Sequence, residues 1–565
     1  MKKLIALLLV LCTVAGLFCG CGETPAQQET ESPAAADSTQ KNDNTEASKD
    51  SEPAETAGEK SVTIGVKTAS MSWDPIKSSD DLAHEVNGNI YATLYNCDND
   101  NQYQLELAQA VDISEDGLTW TFTIRDNAFW SNGEPVTAHD FEFAWKRAAD
   151  PTSGSQFVHL FRLMNIKNGG DVADGKTDPS ELGCYAKDDK TFVVELTAPT
   201  PYFQSLVCFD PLSPVNEKFY EEMGDTYCTT VGTFLYCGPY MVEHWDPDDN
   251  TITMVKNPDY WDAEHVDIDS VTFKMVADPQ SGVMSFETGE LDYTSLSGDL
   301  VAMYESDPSF GNATGNFNWY IYFNSEVITN EKLRQAVAYS MDREAICRDI
   351  LADASIPQYN IFMSGCMTSP DGKDFNDSTT KHYAYDPEKA KSLWEEAKAE
   401  GAPDSMTLTY ESDDSSVALV AQYVAATLEA TLDGFHVELE CIPKANRLEN
   451  MKSGDYEVAL TRWGPNFTDA TSTLSLYMTG NVYNYHCYSN ETYDELMTAA
   501  MTTLAEDYDA RWDAMVEAED LLMQSAVCCP LYQVGKPYLK NADIPVMVEH
   551  MTGTRRFWKY ITLEG

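Results

Sequence analysis

The sequence is poor in positive charge. Its 565 residues contain 37 Lys and Arg against 92 Asp and Glu, so the formal net charge at pH 7 is −55. No Lys- or Arg-rich run interrupts this excess of acid. Because a field of this sign repels phosphate backbones, the composition excludes nucleic acid as a partner.

The chain also lacks long apolar runs, with one exception near its start. The run from Leu4 to Phe18 follows Lys2 and Lys3, and it is shorter than the ~20 residues that a membrane-spanning helix needs. This order is typical of a secretory signal, and we expect a signal peptide over residues 1–20. Because no second apolar run of 18 residues follows, the rest of the chain is expected to lie outside the membrane.

The segment that follows resembles a bacterial lipobox, in which a Cys receives lipid and becomes the mature N-terminus. Small residues precede Cys21, whereas bulky Phe18 stands directly before Cys19, so Cys21 is the predicted lipidation site. The alternative is plain secretion, with Cys21 as an ordinary thiol.

Residues 22–59 contain no Val, Ile, Leu, Met, Phe, Tyr or Trp. A segment without these residues cannot form a core, and its acidic side chains repel one another. We therefore expect residues 21–60 to be a lipidated N-terminus followed by a disordered acidic tether.

Metal-binding and catalytic signatures are missing as well. Outside the signal and lipobox, eleven Cys remain, an odd number that leaves at least one free thiol. They show no CxxC repeat, so neither a zinc site nor a disulfide scaffold is indicated. The sequence has no GxSxG, HExxH, P-loop or GxGxxG motif, and its nine His residues are spread singly. We expect no enzymatic activity, no metal and no cofactor.

What remains is a folded body of mixed strands and helices, with an apolar content of 43%. Length favours two or three lobes rather than one core. Alternation from Leu118 to Arg125 predicts a half-buried strand, and Thr137 is expected to cap the helix that follows. Dense Asn, Gly and Pro over residues 150–179 predict a long surface excursion.

Further periodic segments alternate between helix and strand, which predicts an α/β lobe around residues 323–525. The predicted helices are Glu331 to Ser340, Glu388 to Ala399 and Val417 to Leu428. The predicted strands are Thr407 to Tyr410, Val437 to Cys441 and Val458 to Leu460.

The stretch Leu118 to Phe141, LTWTFTIRDNAFWSNGEPVTAHDF, closely resembles the signature of the extracytoplasmic solute-binding proteins of oligopeptide ABC importers (family 5). Shorter matches follow the order of that family along essentially the whole body from about Val62. They are Trp73-Asp74-Pro75, Pro201-Tyr202-Phe203, Gly238-Pro239-Tyr240, Asn257-Pro258-Asp259-Tyr260-Trp261, Ser340-Met341-Asp342-Arg343, Tyr385-Asp386-Pro387-Glu388-Lys389-Ala390 and Trp463-Gly464-Pro465.

The resemblance implies an α/β (mixed α+β) fold, the type II periplasmic-binding-protein clamshell with an additional third lobe. By analogy, lobe I is discontinuous, lobe II is inserted into it, and lobe III grips the ligand. The expected boundaries are 61–93 plus 202–322 plus 526–565 for lobe I, 94–201 for lobe II and 323–525 for lobe III.

The implied function is a receptor that captures oligopeptides between its lobes and delivers them to the permease and ATPase subunits of an ABC importer. The lipid on Cys21 would hold this receptor, expected to be monomeric, on the extracytoplasmic face of the bacterial cell membrane. If the envelope has an outer membrane, this face lies in the periplasm.

The resemblance also implies ligand-binding residues. The family motif that begins at Trp463 presents an Asp that pairs with the α-amino group of the peptide, but this chain has Asn466 there. An amide carries no charge, so the charge-assisted contact with a free N-terminus is missing unless Asp469 replaces it.

Other expected ligand contacts come from matching positions elsewhere in the chain. Trp319, Tyr320 and Tyr322 match an aromatic strand that crosses the hinge, and their alternative role is to fill the core between lobes. The remaining candidates are Phe157, Glu411 and Ser416.

Two alternative functions stay open. The same clamshell could hold an oligosaccharide, an opine-like conjugate or a metal chelate, and Asn466 keeps this alternative open. A sensor of a peptide signal would leave the same sequence features.

Overall fold

The computed structural model describes residues 59–67, 72–78, 80–246 and 251–564. The predicted signal peptide, Cys21 and all but the last two residues of the predicted tether lie outside these ranges. Within the described ranges, no helix is both long and apolar enough to cross a bilayer.

Seventeen strands occur in the described residues, and they form three sheets. The strands are β1 (Ser61–Val66), β2 (Tyr95–Cys97), β3 (Tyr103–Leu105), β4 (Ala108–Ile113), β5 (Thr119–Ile124), β6 (Cys184–Asp188), β7 (Thr191–Glu195), β8 (Tyr240–Asp246), β9 (Thr251–Lys256), β10 (Ser270–Met275), β11 (Tyr293–Ser295), β12 (Phe310–Phe323), β13 (Ile356–Pro357), β14 (Ser405–Glu411), β15 (His436–Ile442), β16 (Val458–Trp463) and β17 (Cys528–Lys540).

The same part of the chain contains sixteen α-helices and a π-helical turn at Ile346–Leu351. The helices are α1 (Asp81–Ile90), α2 (Ala138–Ala149), α3 (Leu160–Leu163), α4 (Gly169–Ala173), α5 (Phe203–Val207), α6 (Glu217–Met223), α7 (Pro279–Glu287), α8 (Asp299–Tyr304), α9 (Glu331–Ser340), α10 (Arg343–Ala345), α11 (Pro387–Ala399), α12 (Ser415–Thr431), α13 (Lys444–Ser453), α14 (Thr471–Leu474), α15 (Glu491–Met501) and α16 (Tyr508–Gln524).

The largest sheet runs in the order β15-β14-β16-β12-β17-β11-β1-β10-β9-β8, with β13 paired to β17. Its two longest strands, β12 and β17, are antiparallel neighbours. Thr314 pairs with Gly535 and Asn318 with Gln533, so three residues of β12 stand opposite one residue of β17. A bulge of this kind bends a strand pair. Here the bent pair lies between β16 and β11 in the order of the sheet.

Three large apolar clusters lie in different parts of the chain. One is built mainly from residues 319–532, a second mainly from 76–237, and a third combines residues near Val62 with residues up to Ile561. This separation is what a body of several lobes needs, because each lobe must bury its own core. The lobe boundaries themselves remain a prediction.

The local predictions around β5 and α2 are confirmed. Trp120, Phe122 and Ile124 of β5 are buried, and Thr137 donates its backbone N–H to the Asp140 carboxylate at 2.7 Å, as in a capping box. The remaining predicted strands and helices of residues 323–525 also occur, with ends that differ by up to three residues.

The predicted surface excursion over residues 150–179 is wrong in part. This segment contains α3 and α4, and Leu160, Phe161 and Met164 are buried against the second cluster. Its turn residues separate α3 and α4, and both helices are too short to show a periodic apolar pattern in the sequence.

Candidate ligand-binding site

The segment from Thr461 to Asp469 borders two cavities. Thr461, Arg462 and Trp463 line one of them, and Thr468 and Asp469 line the other. Asn466, between the two groups, is exposed. A Cβ on Gly464 would lie 2.3 Å from the Asn316 carbonyl oxygen, so only glycine allows this segment to lie against the bulge of β12.

The first cavity, which we call the central cavity, has a volume of about 560 Å³. Its lining residues fall in the ranges 97–103, 201–208, 312–314, 365–368, 468–511 and 538–557.

Charged groups of the central cavity are paired with one another or with their neighbours. The Asp469 carboxylate accepts hydrogen bonds from Arg511 at 2.7 Å and from the Thr471 backbone at 3.0 Å. Glu549 forms ion pairs with Arg555 and Arg556. Although burial opposes its ionisation, these two guanidinium groups hold the pKa of Glu549 far below its usual range.

The second cavity, which we call the aromatic cavity, has a volume of about 370 Å³ and lies between β16, α13 and the loop before α15. Its lining is mainly apolar and aromatic, with a few polar groups. The lining residues are Tyr322, Ala445, Leu448, Glu449, Met451, Lys452, Thr461, Arg462, Trp463, Leu476, Tyr483, Tyr485 and His486.

Several polar groups of the aromatic cavity have no protein partner. The Nε1 of Trp463 and both ring nitrogens of His486 are buried and make no hydrogen bond within the described residues. His486 is 1% exposed and stacks on Tyr477 at 4.4 Å between ring centroids. Burial lowers the pKa of His486 to about 3, so the imidazole is neutral at physiological pH and offers one donor and one acceptor.

A buried ion pair lies next to the residues that line the aromatic cavity. The Glu411 carboxylate accepts from Arg447 at 2.7 Å, and both side chains are 1% exposed. Arg462 lies 4.0 Å from the same carboxylate, beyond hydrogen-bond distance, and stacks over the rings of Phe317 and Trp319. Arg447 and Arg462 thus share one carboxylate, so this group carries one positive charge in excess.

The predicted site residues are thus distributed over several environments. Tyr322 and Trp463 line the aromatic cavity and Asp469 the central cavity, while Glu411 is buried beneath the aromatic cavity. Ser416, at the start of α12, donates its hydroxyl to Asp414 at 2.7 Å.

The other three predicted residues make mainly aromatic contacts. Trp319 and Tyr320 are buried in the first apolar cluster, where Trp319 stacks on Tyr532 and Tyr320 donates to the Ile361 carbonyl. Phe157 packs against His84 and Phe209 and lines neither cavity.

Sequence reasoning missed Arg447, Arg462, Tyr483, Tyr485 and His486. Arg462 directly precedes the Trp463 motif and could have been included on that ground. The others come from α13 and from an irregular loop, so no periodicity or spacing in the sequence connects them with Trp463.

One group of residues elsewhere has the composition of a metal site. Ligand atoms of Asp262, Glu264 and His265 all lie within 4.8 Å of one another. The Asp262 carboxylate is already paired with Lys559 at 2.7 Å, and none of the three residues lines either cavity.

Comparison with known families identifies most of the body. The family model for bacterial extracellular solute-binding proteins, family 5, middle region, matches residues 102–485. A dipeptide-binding protein of Lactococcus lactis is 29% identical over 516 residues, which cover 88% of this chain and 93% of the relative. The dipeptide-binding protein DppE of Bacillus subtilis is 31% identical over 505 residues, which cover 88% of this chain and 91% of the relative.

The fold agrees with a solved structure. Listeria monocytogenes OppA bound to peptide superimposes with a TM-score of 0.71 and 31% identity, over 90% of this chain and all of that one. The clamshell fold expected from the sequence is therefore confirmed.

Proposed function

Since the chain belongs to the family 5 bacterial extracellular solute-binding proteins, we propose that it captures oligopeptides between its lobes and delivers them to the permease of an ABC importer. Proteins of this family bind solutes and do not catalyse reactions. The observation that carries the proposal is the exposed segment at Asn466, which joins two cavities in a chain about 30% identical to dipeptide-binding proteins.

The strand pairing supports an extended peptide at this segment. β16 pairs with β12 along its whole length, but with β14 only at Val458 and Ala459 within the described residues. The end of β16 near Trp463 therefore has strand pairing on one side. Main-chain groups recur in every peptide, so pairing at such an edge gives affinity without reading the sequence, and adjacent cavities accommodate side chains.

Delivery requires a difference between the free and loaded forms. A ligand that contacts several lobes stabilises their closed arrangement, and the bend between β12 and β17 is where such closure would be accommodated. The closed receptor would then dock on the permease, whose ATPase subunits supply the energy.

Peptide capture is tested by incubating the purified protein with a peptide mixture and identifying retained ligands by mass spectrometry. We expect peptides; retention of saccharides or chelates instead would favour the alternative ligands. Titration calorimetry with a retained peptide should show at least about tenfold weaker binding for Trp463→Ala, because a large aromatic contact is lost. The matched control is Tyr385→Ala, an exposed aromatic residue that lines neither cavity, and its affinity should be unchanged.

Lipid anchoring at Cys21 is part of the same proposal. Metabolic labelling with a radioactive fatty acid should label the native chain and Cys19→Ser but not Cys21→Ser. The Cys21→Ser protein should also leave the membrane fraction, because the lipid is the only anchor proposed. If labelling is lost in Cys19→Ser instead, Cys19 and not Cys21 is the lipidated residue.

A further inference from the structure

The aromatic cavity combines apolar walls with hydrogen-bond donors that the protein leaves unused. Trp463 Nε1 and both ring nitrogens of His486 are buried without partners within the described residues. Arg462, which also lines the cavity, shares the Glu411 carboxylate with Arg447 and lies 4.0 Å from it. Leaving a buried donor without an acceptor is unfavourable, so unpartnered donors on residues that line a cavity indicate a ligand atom.

All three groups can donate a hydrogen bond. The indole N–H and the guanidinium can only donate, and neutral His486 can donate through one nitrogen. Lys452 at the exposed rim adds a second cation with no acid within 4.0 Å among the described residues, whereas Glu449 is the one acid among the lining residues. The missing partner is therefore an acceptor, and the excess of cations favours one that is negatively charged.

We propose that the aromatic cavity binds a carboxylate of the ligand, and so selects peptides with an acidic group at one position. The inference rests on the proposed peptide-binding function and gives it a specificity. It also runs against the charge of the whole chain, −55, which alone would favour cationic ligands.

Size and shape are compatible with this group. A volume of about 370 Å³ exceeds that of one acidic side chain and leaves room for bridging water. The walls of Tyr483, Tyr485 and Leu448 would contact the methylene groups. An uncharged aromatic side chain would also fill the space, but it would bury Trp463 Nε1 and Arg462 without giving either an acceptor.

The test uses alanine pentapeptides that carry Glu, or isosteric Gln, at each position in turn, with a free or amidated C-terminus. Affinities for the purified protein are measured by titration calorimetry. We expect one position at which Glu binds about tenfold or more tighter than Gln, which is the effect of one charge-assisted hydrogen bond. If C-terminal amidation rather than Gln removes the advantage, the carboxylate is that of the peptide terminus, and the proposal of a bound carboxylate holds.

Variants of the cavity residues test whether the preference for Glu arises in the aromatic cavity. Arg462→Gln should reduce the preference to within about twofold, and Trp463→Phe, which keeps a ring but removes the N–H, should reduce it partly. Lys444→Gln, on the same helix as Lys452 but outside the cavity lining, removes the same charge and should keep the full preference. Thermal melting of each variant reports whether it is folded, and Trp463→Phe alone tests the proposal if Arg462→Gln does not fold.

Two results would overturn the inference. One is equal binding of Glu and Gln peptides at every position, with or without amidation; the other is a preference that survives unchanged in both cavity variants. Failure of every peptide to bind would instead overturn the proposed function, so the two failures are distinguishable.

Discussion

The two cavities differ in what their charged groups do. In the central cavity, Asp469 is held by Arg511, and Glu549 by Arg555 and Arg556. In the aromatic cavity, Trp463 Nε1 and the His486 ring nitrogens have no partner among the described residues, and Arg462 shares one carboxylate with Arg447. Paired charges stabilise the arrangement of the chain, whereas unpaired donors are available to a ligand. Charge in a cavity is therefore no guide to binding until its partners are known.

The largest expected effect follows from breaking a pair in the central cavity. Asp469→Ala leaves the Arg511 guanidinium buried without its carboxylate, and we expect a loss of about 3–5 kcal/mol in the free energy of unfolding. Urea denaturation measures this change. Asp404→Ala, which removes an exposed carboxylate, should stay within about 0.5 kcal/mol. A loss below about 1 kcal/mol for Asp469→Ala would show that this pair is not structural.

Glu519 is a buried acid that has no cation as a partner in the part of the chain that the structure describes, so its effect on stability should depend on pH. Burial raises the pKa of the Glu519 carboxyl from 4.5 to about 7, although its Oε1 accepts from the Ile361 backbone at 2.6 Å. Between these values the folded state holds a proton that the unfolded state has lost, so stability should fall by up to about 3 kcal/mol as pH rises from 4.5 to 7.

Glu519→Gln removes this titration and keeps a carbonyl acceptor, so its unfolding free energy should vary less with pH in that window. Glu517→Gln, exposed on the same helix, should keep the native profile. Ligand affinity in the aromatic cavity should not follow this profile, because His486 is neutral above its pKa of about 3. Identical pH profiles for Glu519→Gln and the native protein would contradict the assignment.

The next effect concerns the segment between the cavities. Asn466→Asp introduces the charge that the family motif has at this position, and it should bind a peptide with a free N-terminus about tenfold tighter than the native chain does. The acetylated form of the same peptide should show no gain, and neither should Asn446→Asp, an exposed position outside both cavities. A native protein that already loses its affinity on acetylation would indicate that another acid, such as Asp469, binds the amine.

The smallest expected change in stability is that of Arg462→Gln. Its guanidinium is partly exposed and lies 4.0 Å from Glu411, so we expect less than about 1 kcal/mol in urea denaturation. Arg447→Gln, which acts on the same carboxylate from a buried position, should lose about 3 kcal/mol. Similar losses for the two variants would remove the distinction between paired and available charges.

Part of this structure could be predicted from the sequence because its signals are local. Alternation over Leu118 to Arg125 and the cap at Thr137 predicted β5 and α2, since period and capping depend on neighbouring residues. Trp463 and Tyr322 were predicted from the family resemblance and line the aromatic cavity, and their role in binding stays a prediction. His486 was not predicted, because it stands alone in an irregular loop, and only folding places it beside Trp463.

By itself, the sequence determined the family and the clamshell fold, because continuous motifs carry that information. Only the tertiary structure decided which charged side chains form ion pairs with one another. Asp469 and Arg511 are 42 residues apart, and Glu411 and Arg447 are 36 apart, yet each pair is joined at 2.7 Å. An ion pair depends on distances of a few ångströms in space, and separation along the chain does not encode them.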